Sequence, residues 1–171
     1  MLVLLRKAAA RFSKPTCKIR VTGYHPIISA QSHFPSVIDL LGCHGIRAPD
    51  FIDKSVLVRA VIDRSQKFFS ESTASFDQAV SEAGDARIAY ADPGFTDANS
   101  VFASQTLLWG LKDDLDLSPE DEVAATRHAS CDAAFDELHI VEREECYRAS
   151  AGHPNVSGAK QFAQKILESL A

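Results

Sequence analysis

The segment from Lys54 to Ala83 most constrains the fold, because it contains neither glycine nor proline. Its apolar residues recur at mainly helical spacing, which is typical of one continuous amphipathic helix. They are Leu57, Val61, Phe68, Phe76, Ala79, Val80 and Ala83. Gly84 follows directly, at the position where a left-handed residue ends many helices. The pattern predicts a long helix that ends at Ala83.

Short strand patterns stand on both sides of this helix. Residues 17–22 alternate apolar with polar side chains before Gly23, and residues 87–91 form a second short apolar run that ends in the turn signal Asp92-Pro93-Gly94. A helical stripe over residues 2–12 precedes the first strand. Helix followed by strand therefore occurs twice, which is the order that a parallel α/β sheet requires.

The remaining segments predict further helices. Residues 30–53 contain several prolines and glycines, so we expect an irregular excursion with one or two helical turns. Ser118 and Pro119 are typical of a helix N-terminus, and that helix would run toward Ala134. A final helix starts near Ser157 and is expected to pack one apolar face on the core. That face comprises Ala159, Phe162, Ala163, Ile166, Leu167 and Leu170. No repeat or linker divides residues 1–171, which predicts a single α/β domain.

Charge and hydropathy exclude several classes of function. The net charge is -5, so a phosphate-binding surface and a nucleic-acid partner are not expected. No apolar run approaches the roughly 20 residues of a membrane span. The apolar run from Met1 to Leu5 precedes Arg6-Lys7 and lacks the length and order of a signal peptide, so no secretion signal is visible and the compartment stays open.

The four cysteines, Cys17, Cys43, Cys131 and Cys146, form no C-x-x-C pair, and we favour free thiols. The alternative is a bridge between Cys131 and Cys146, which would pin the loop before His153 in an exported protein. The possible ligands His25, His33, Cys43 and His44 lack a recognised zinc spacing, so neither a metal site nor a cofactor is predicted.

The segment Gly152-His153-Pro154-Asn155 carries the strongest signal for chemistry. A neutral imidazole can take a proton from a hydroxyl nucleophile near pH 7, Pro154 fixes the adjacent backbone, and the following helix supplies a rigid mount. The simpler interpretation of His153 is a loop histidine that caps a helix. Asp92, Asp97 and Trp109 are weaker candidates, since turn formation and capping explain the two aspartates better, and core or surface packing explains the tryptophan better.

Residues 146–159, followed by Phe162-Ala163 and Ile166, resemble the C-terminal block of SGNH (GDSL-type) hydrolases, in which this histidine is the catalytic base. Residues 19–28 are similar to the penultimate core strand and loop of bacterial lipase-like members. The resemblance implies a flavodoxin-like, three-layer α/β/α fold. It also implies hydrolysis of an acyl ester by a serine nucleophile, with His153 as the general base.

The chain departs from that family pattern before the matched region. It contains no Gly-Asp-Ser block and no oxyanion-hole glycine and asparagine blocks, and its nearest string is Gly84-Asp85-Ala86. Ser150 replaces the aspartate that the family places three residues before the histidine. We therefore expect an incomplete SGNH domain, the C-terminal part of an ester hydrolase, that carries His153 and is not active alone.

Because only two strands are predicted, one edge of the sheet would have no neighbouring strand. That edge would associate with a second copy of the chain or with a separate N-terminal half, and the alternative to hydrolase ancestry is a non-catalytic interaction module. In a third arrangement, the N-terminal helix and residues 30–53 fold over the unpaired sheet edge.

Overall fold

The computed structural model describes residues 1–43, 45–46, 49, 53–109, 123–135, 138–147, 149 and 151–170. The α-helices and strands follow one another in the order α1, β1, α2, α3, β2, α4, α5, α6. Their bounds are α1 Leu2–Arg11, β1 Ile19–Thr22, α2 Phe34–Cys43, α3 Lys54–Ala83, β2 Ile88–Ala91, α4 Ala124–Ala134, α5 Ile140–Tyr147 and α6 Val156–Glu168. The predicted mixed α/β class is confirmed.

Helix α3 has the predicted bounds because both of its ends are specified locally. The Asp53 side chain accepts a hydrogen bond of 2.8 Å from the backbone N–H of Ser55, which satisfies one free donor of the first turn. At the other end, Gly84 adopts φ +64°, a left-handed conformation that costs a residue with a Cβ more than it costs glycine.

Strands β1 and β2 pair in parallel, with Ile19 opposite Ile88, and they are the only strands in the described part of the chain. Alternate residues of the pair, including Val21 and Ile88, pack against α1 and α3 in one core cluster. Arg20 points to the opposite face, where its Nε donates to the carbonyl of Ser169 just after α6, at 3.0 Å. Helices therefore contact both faces of the short sheet.

Two predicted segments differ from the structure in extent. Residues 34–43 form a ten-residue helix, about three turns, where one or two turns were predicted. Pro35 falls in the first turn, which proline tolerates, and Val37 and Leu41 pack on Ile28 and Val58. The proposed N-cap at Ser118 lies outside the described residues, whereas the predicted helix end at Ala134 is confirmed.

Helix α6 begins one residue before the predicted start. The Asn155 side chain accepts a hydrogen bond of 2.9 Å from the backbone N–H of Gly158 and caps the first turn. The predicted packed face is only partly correct. Phe162 and Ile166 are half-buried, but Ala159 and Ala163 are exposed and Leu167 is 61% exposed. That face borders an open groove, so not all of its apolar side chains are buried.

The prediction of free thiols is wrong for one pair of cysteines. Cys131 in α4 and Cys146 in α5 form a disulfide across two helices that pack against each other, with Cα atoms 5.9 Å apart. Cys17 is free, and the side chain of Cys43 lies outside the description. None of the helices described has both the length and the apolar composition that crossing a bilayer requires.

Candidate active-site groove around His153

The loop that carries His153 is held by a short backbone ladder. The N–H of Trp109 donates to the carbonyl of His153 at 2.8 Å, and the N–H of Gly152 donates to the carbonyl of Trp109 at 2.8 Å. A third bond of 2.9 Å joins Asn155 N–H to the carbonyl of Leu107. These three bonds fix the backbone on both sides of His153 and therefore the position from which its imidazole projects.

Two glycines make this arrangement sterically possible. Gly152 adopts φ +79°, which lets the chain turn immediately before His153. Gly158 lies so close to the Leu107 backbone that a Cβ there would overlap the Leu107 carbonyl oxygen. Phe95, Val101 and Leu108 form the buried cluster under this contact, and Phe162 of α6 packs against it. Helix α6 is therefore seated directly beside the loop that it follows.

His25, which follows β1, provides the side-chain support of the loop. Its Nε2 lies 2.8 Å from the carbonyl oxygen of Gly152, and because a carbonyl only accepts, Nε2 carries the proton. The ring lies 5.2 Å from the Phe95 ring and 6.2 Å from the Phe162 ring, measured between centroids. Nδ1 is buried and has no hydrogen-bond partner in the structure as described. Burial lowers the pKa of His25, although the bond to Gly152 opposes this.

Between β1 and α6 lies a groove of about 640 Å³, with both imidazoles in its lining. Its other lining residues are Gly23, Tyr24, Pro154, Ala159, Phe162, Ala163 and Ile166. Among these residues there is no serine, threonine or cysteine, and Tyr24 supplies the sole hydroxyl group. The His153 side chain is exposed, and no described residue forms a hydrogen bond with its ring. The groove therefore places an accessible imidazole beside apolar walls.

The weaker candidates from the sequence do not reach the groove. The Asp92 carboxylate accepts a bond of 2.8 Å from the Gly94 N–H, and Asp97 accepts from the Gln66 amide at 3.2 Å. Trp109 is buried in the core. These contacts favour the structural interpretation of all three residues.

The suggested zinc set is not assembled by the residues that can be described. His33 lies on the exposed surface, 3.0 Å from the Ser36 hydroxyl, whereas His25 lines the groove. No group of three metal-ligating side chains occurs in the described ranges. His44 and Ser150 lie outside those ranges, as does the side chain of Cys43.

Sequence reasoning missed the role of His25. His25 comes just after the strand pattern that ends before Gly23, and the carboxyl ends of parallel strands are where α/β proteins collect functional groups. That position was the available signal. The bond to Gly152, however, joins residues from opposite ends of the chain, and no local pattern encodes it.

Comparison of the chain with protein-family models, with curated proteins and with solved structures gave no match. The resemblance to SGNH hydrolases therefore stays a prediction from the residues quoted above.

We expect acidification to destabilise the protein through His25. Because its pKa is lowered from 6.5 in the native state, the unfolded chain binds a proton at higher pH than the folded chain does. The free energy of unfolding should thus fall as the pH drops from about 6.5 toward the native pKa of His25. Urea unfolding of His25→Phe, which keeps an aromatic ring, should show a weaker dependence over this window.

The matched control for that experiment is His33→Phe on the exposed surface. It should keep the pH dependence of the unmodified protein. Identical slopes for the His25→Phe variant and the unmodified chain would show that His25 is not held neutral by the fold.

Proposed function

We propose that this chain is the histidine-bearing, C-terminal part of an SGNH-type ester hydrolase with an incomplete three-layer fold, and that it acts on small acyl esters only together with a nucleophile-bearing segment. The observation that carries the proposal is the position of His153. Its accessible imidazole stands in an apolar groove beside the carboxyl end of β1, and the described lining offers no serine.

The chemistry assigned to His153 is general acid and base catalysis. As a serine oxygen attacks the ester carbonyl carbon, the imidazole accepts the serine proton, and it later returns that proton to the departing alkoxide. The backbone ladder to Trp109 and the bond from His25 to Gly152 support this role, since they hold the loop without occupying the His153 ring. Apolar groove walls suit the uncharged part of an ester.

The same groove supplies the surface on which the nucleophile-bearing segment would dock. The outer edge of β1 has no strand beside it in the described residues. Tyr24, which follows β1 and lines the groove, is 49% exposed. A segment that adds a strand to β1 would cover this apolar surface. A second copy of the chain could use the same edge, which is the alternative interaction-module function.

We expect the chain alone to hydrolyse p-nitrophenyl acetate no faster than His153→Ala, since the described lining of the groove contains no serine. Mixing it with the polypeptide encoded immediately upstream, if that polypeptide contains a Gly-Asp-Ser block, should produce turnover that His153→Ala abolishes and His33→Ala retains. Steady-state assays of the two single-chain samples and the three mixtures measure this. Turnover by the chain alone that disappears in His153→Ala would contradict the proposed incompleteness, and an upstream region without such a block would remove the proposed partner.

Light scattering of the chain alone separates the two functions. A dimer that forms without any partner favours the interaction module, whereas a monomer that assembles only with the upstream polypeptide favours the divided hydrolase.

A further inference from the structure

A second cavity, of about 190 Å³, adjoins the loop that carries His153. Ala151 and Gly152 line this cavity, whereas His153 and Pro154 line the groove. One short loop thus lines both the cavity and the groove, each with two consecutive residues. The function proposed above uses the groove alone and leaves this cavity without a role.

Every described side chain that lines the cavity is apolar. They belong to Ile27, Ile28, Leu40, Val101, Phe102 and Ala151, and Gly152 completes the wall. A charged or strongly polar ligand would lose its hydration there without gaining a side-chain partner. Apolar cavities of about 150 Å³ admit benzene, so the volume suits a ligand of that size. The lining thus selects small, uncharged, apolar molecules.

One wall of the cavity is rigid and contains an unusual backbone conformation. Phe102 adopts φ +64°, a region that bulky residues rarely occupy. Hydrogen bonds hold it there, because Val101 N–H donates to the Ile27 carbonyl at 2.8 Å and His33 N–H donates to the Phe102 carbonyl at 2.9 Å. Strained residues of this kind are concentrated at binding and active sites. A wall fixed in this way needs little rearrangement to receive a ligand.

The loop itself forms another part of the cavity lining. Gly152 is bonded to the Trp109 carbonyl and to the His25 ring, and the next residue is His153. A molecule in the cavity would contact Ala151 and Gly152 and limit the movement of that loop. We propose that this cavity binds one small, uncharged, apolar molecule of about benzene size, and that the bound molecule restrains the loop carrying His153.

The test is a titration of the full chain with benzene, followed by ¹H–¹⁵N spectra. The amide signals of Val101, Ala151 and Gly152 should shift and saturate, with a dissociation constant on the order of 1 mM, which is reasonable for six apolar atoms. Benzoate carries the same ring with a charge, and it should not shift these signals. Binding should also slow amide hydrogen exchange at Gly152, which reports the restrained loop.

Two variants fill the cavity from different walls. Ala151→Leu and Leu40→Phe should each weaken benzene binding at least about tenfold, and the second keeps the test valid where the first fails to fold. Ala163→Leu enlarges a groove residue and should leave the affinity unchanged. The proposal is overturned by the absence of saturable shifts, by equal binding of benzoate, or by an Ala163→Leu variant that alone loses binding. None of these outcomes involves ester turnover, so this inference fails or stands separately from the proposed hydrolase.

Discussion

Replacing Gly158 with alanine should lower the free energy of unfolding by about 3 kcal/mol, the upper part of the range for overpacked sites. The added Cβ would overlap the Leu107 carbonyl oxygen and would lie 3.2 Å from Cζ of Phe95. A backbone oxygen cannot rotate away as a flexible side chain can. This oxygen also accepts the bond from Asn155, so displacing α6 would break that bond as well. Urea unfolding measures the loss.

Gly42→Ala is the matched control for this substitution. Gly42 also lies in a helix, but a Cβ there would meet nothing within 4 Å. Alanine has the better helix propensity, so this variant should gain about 0.5–1 kcal/mol. If Gly158→Ala unfolds at the same urea concentration as the unmodified chain, α6 is not seated against Leu107 in solution.

Removing the disulfide should have a similarly large effect. The bridge joins residues 15 positions apart, and closing a loop of that length stabilises a fold by about 3 kcal/mol. The double variant Cys131→Ala with Cys146→Ala should therefore lose about that amount. Alanine is preferable to serine because Cys131 is 1% exposed and a buried hydroxyl would add a separate cost.

Thermal unfolding with and without a reducing agent provides the measurement. The reducing agent should destabilise the unmodified chain and leave the double variant unchanged. Cys17→Ala, at the free cysteine, should stay within about 0.5 kcal/mol of the unmodified chain. Thiol alkylation shows whether the reducing agent has reduced both sulfurs. If it has, and the midpoint of thermal unfolding does not change, the bridge does not stabilise the fold.

After reduction, the remaining contacts between α4 and α5 would still favour their pairing. Arg127 donates to the Tyr147 carbonyl at 2.8 Å, and the His128 and Tyr147 rings lie 4.2 Å apart. The Tyr147 hydroxyl also bonds to Asp132, which raises the pKa of that tyrosine. We therefore expect the reduced chain to keep the pairing of α4 with α5 and to lose stability without losing its fold.

Features specified over a few residues were predictable from the sequence. Helix α3 was predicted within its observed bounds because Gly84 marks its end and nothing interrupts it. Both strands were located because apolar runs end at turn signals. The apolar spacing after Ser157 predicted a helix that starts shortly after His153, and α6 starts at Val156. These signals depend on backbone preferences that act within one or two turns.

Contacts between distant residues were not predictable in the same way. The pairing of Cys131 with Cys146 was raised only as the alternative to free thiols, because it depends on how two helices pack, and the bond from His25 to Gly152 depends on the whole fold between them. The apolar face of α6 shows the limit most clearly. Periodicity identifies which side of a helix is apolar, but it does not reveal whether a neighbour covers that side, and Leu167 remains exposed.

The parallel pairing of β1 with β2 has a consequence for the order of folding. Ile19 meets Ile88 only after α2 and α3 have been placed between them, so the sheet forms by closing a long loop and cannot nucleate as a hairpin does. We therefore expect the strand pair to form late. Leu107 and Trp109 follow β2 in the chain and bond to residues 152–155, which hold His153 in place. We expect the orientation of His153 to be completed after the helices have formed.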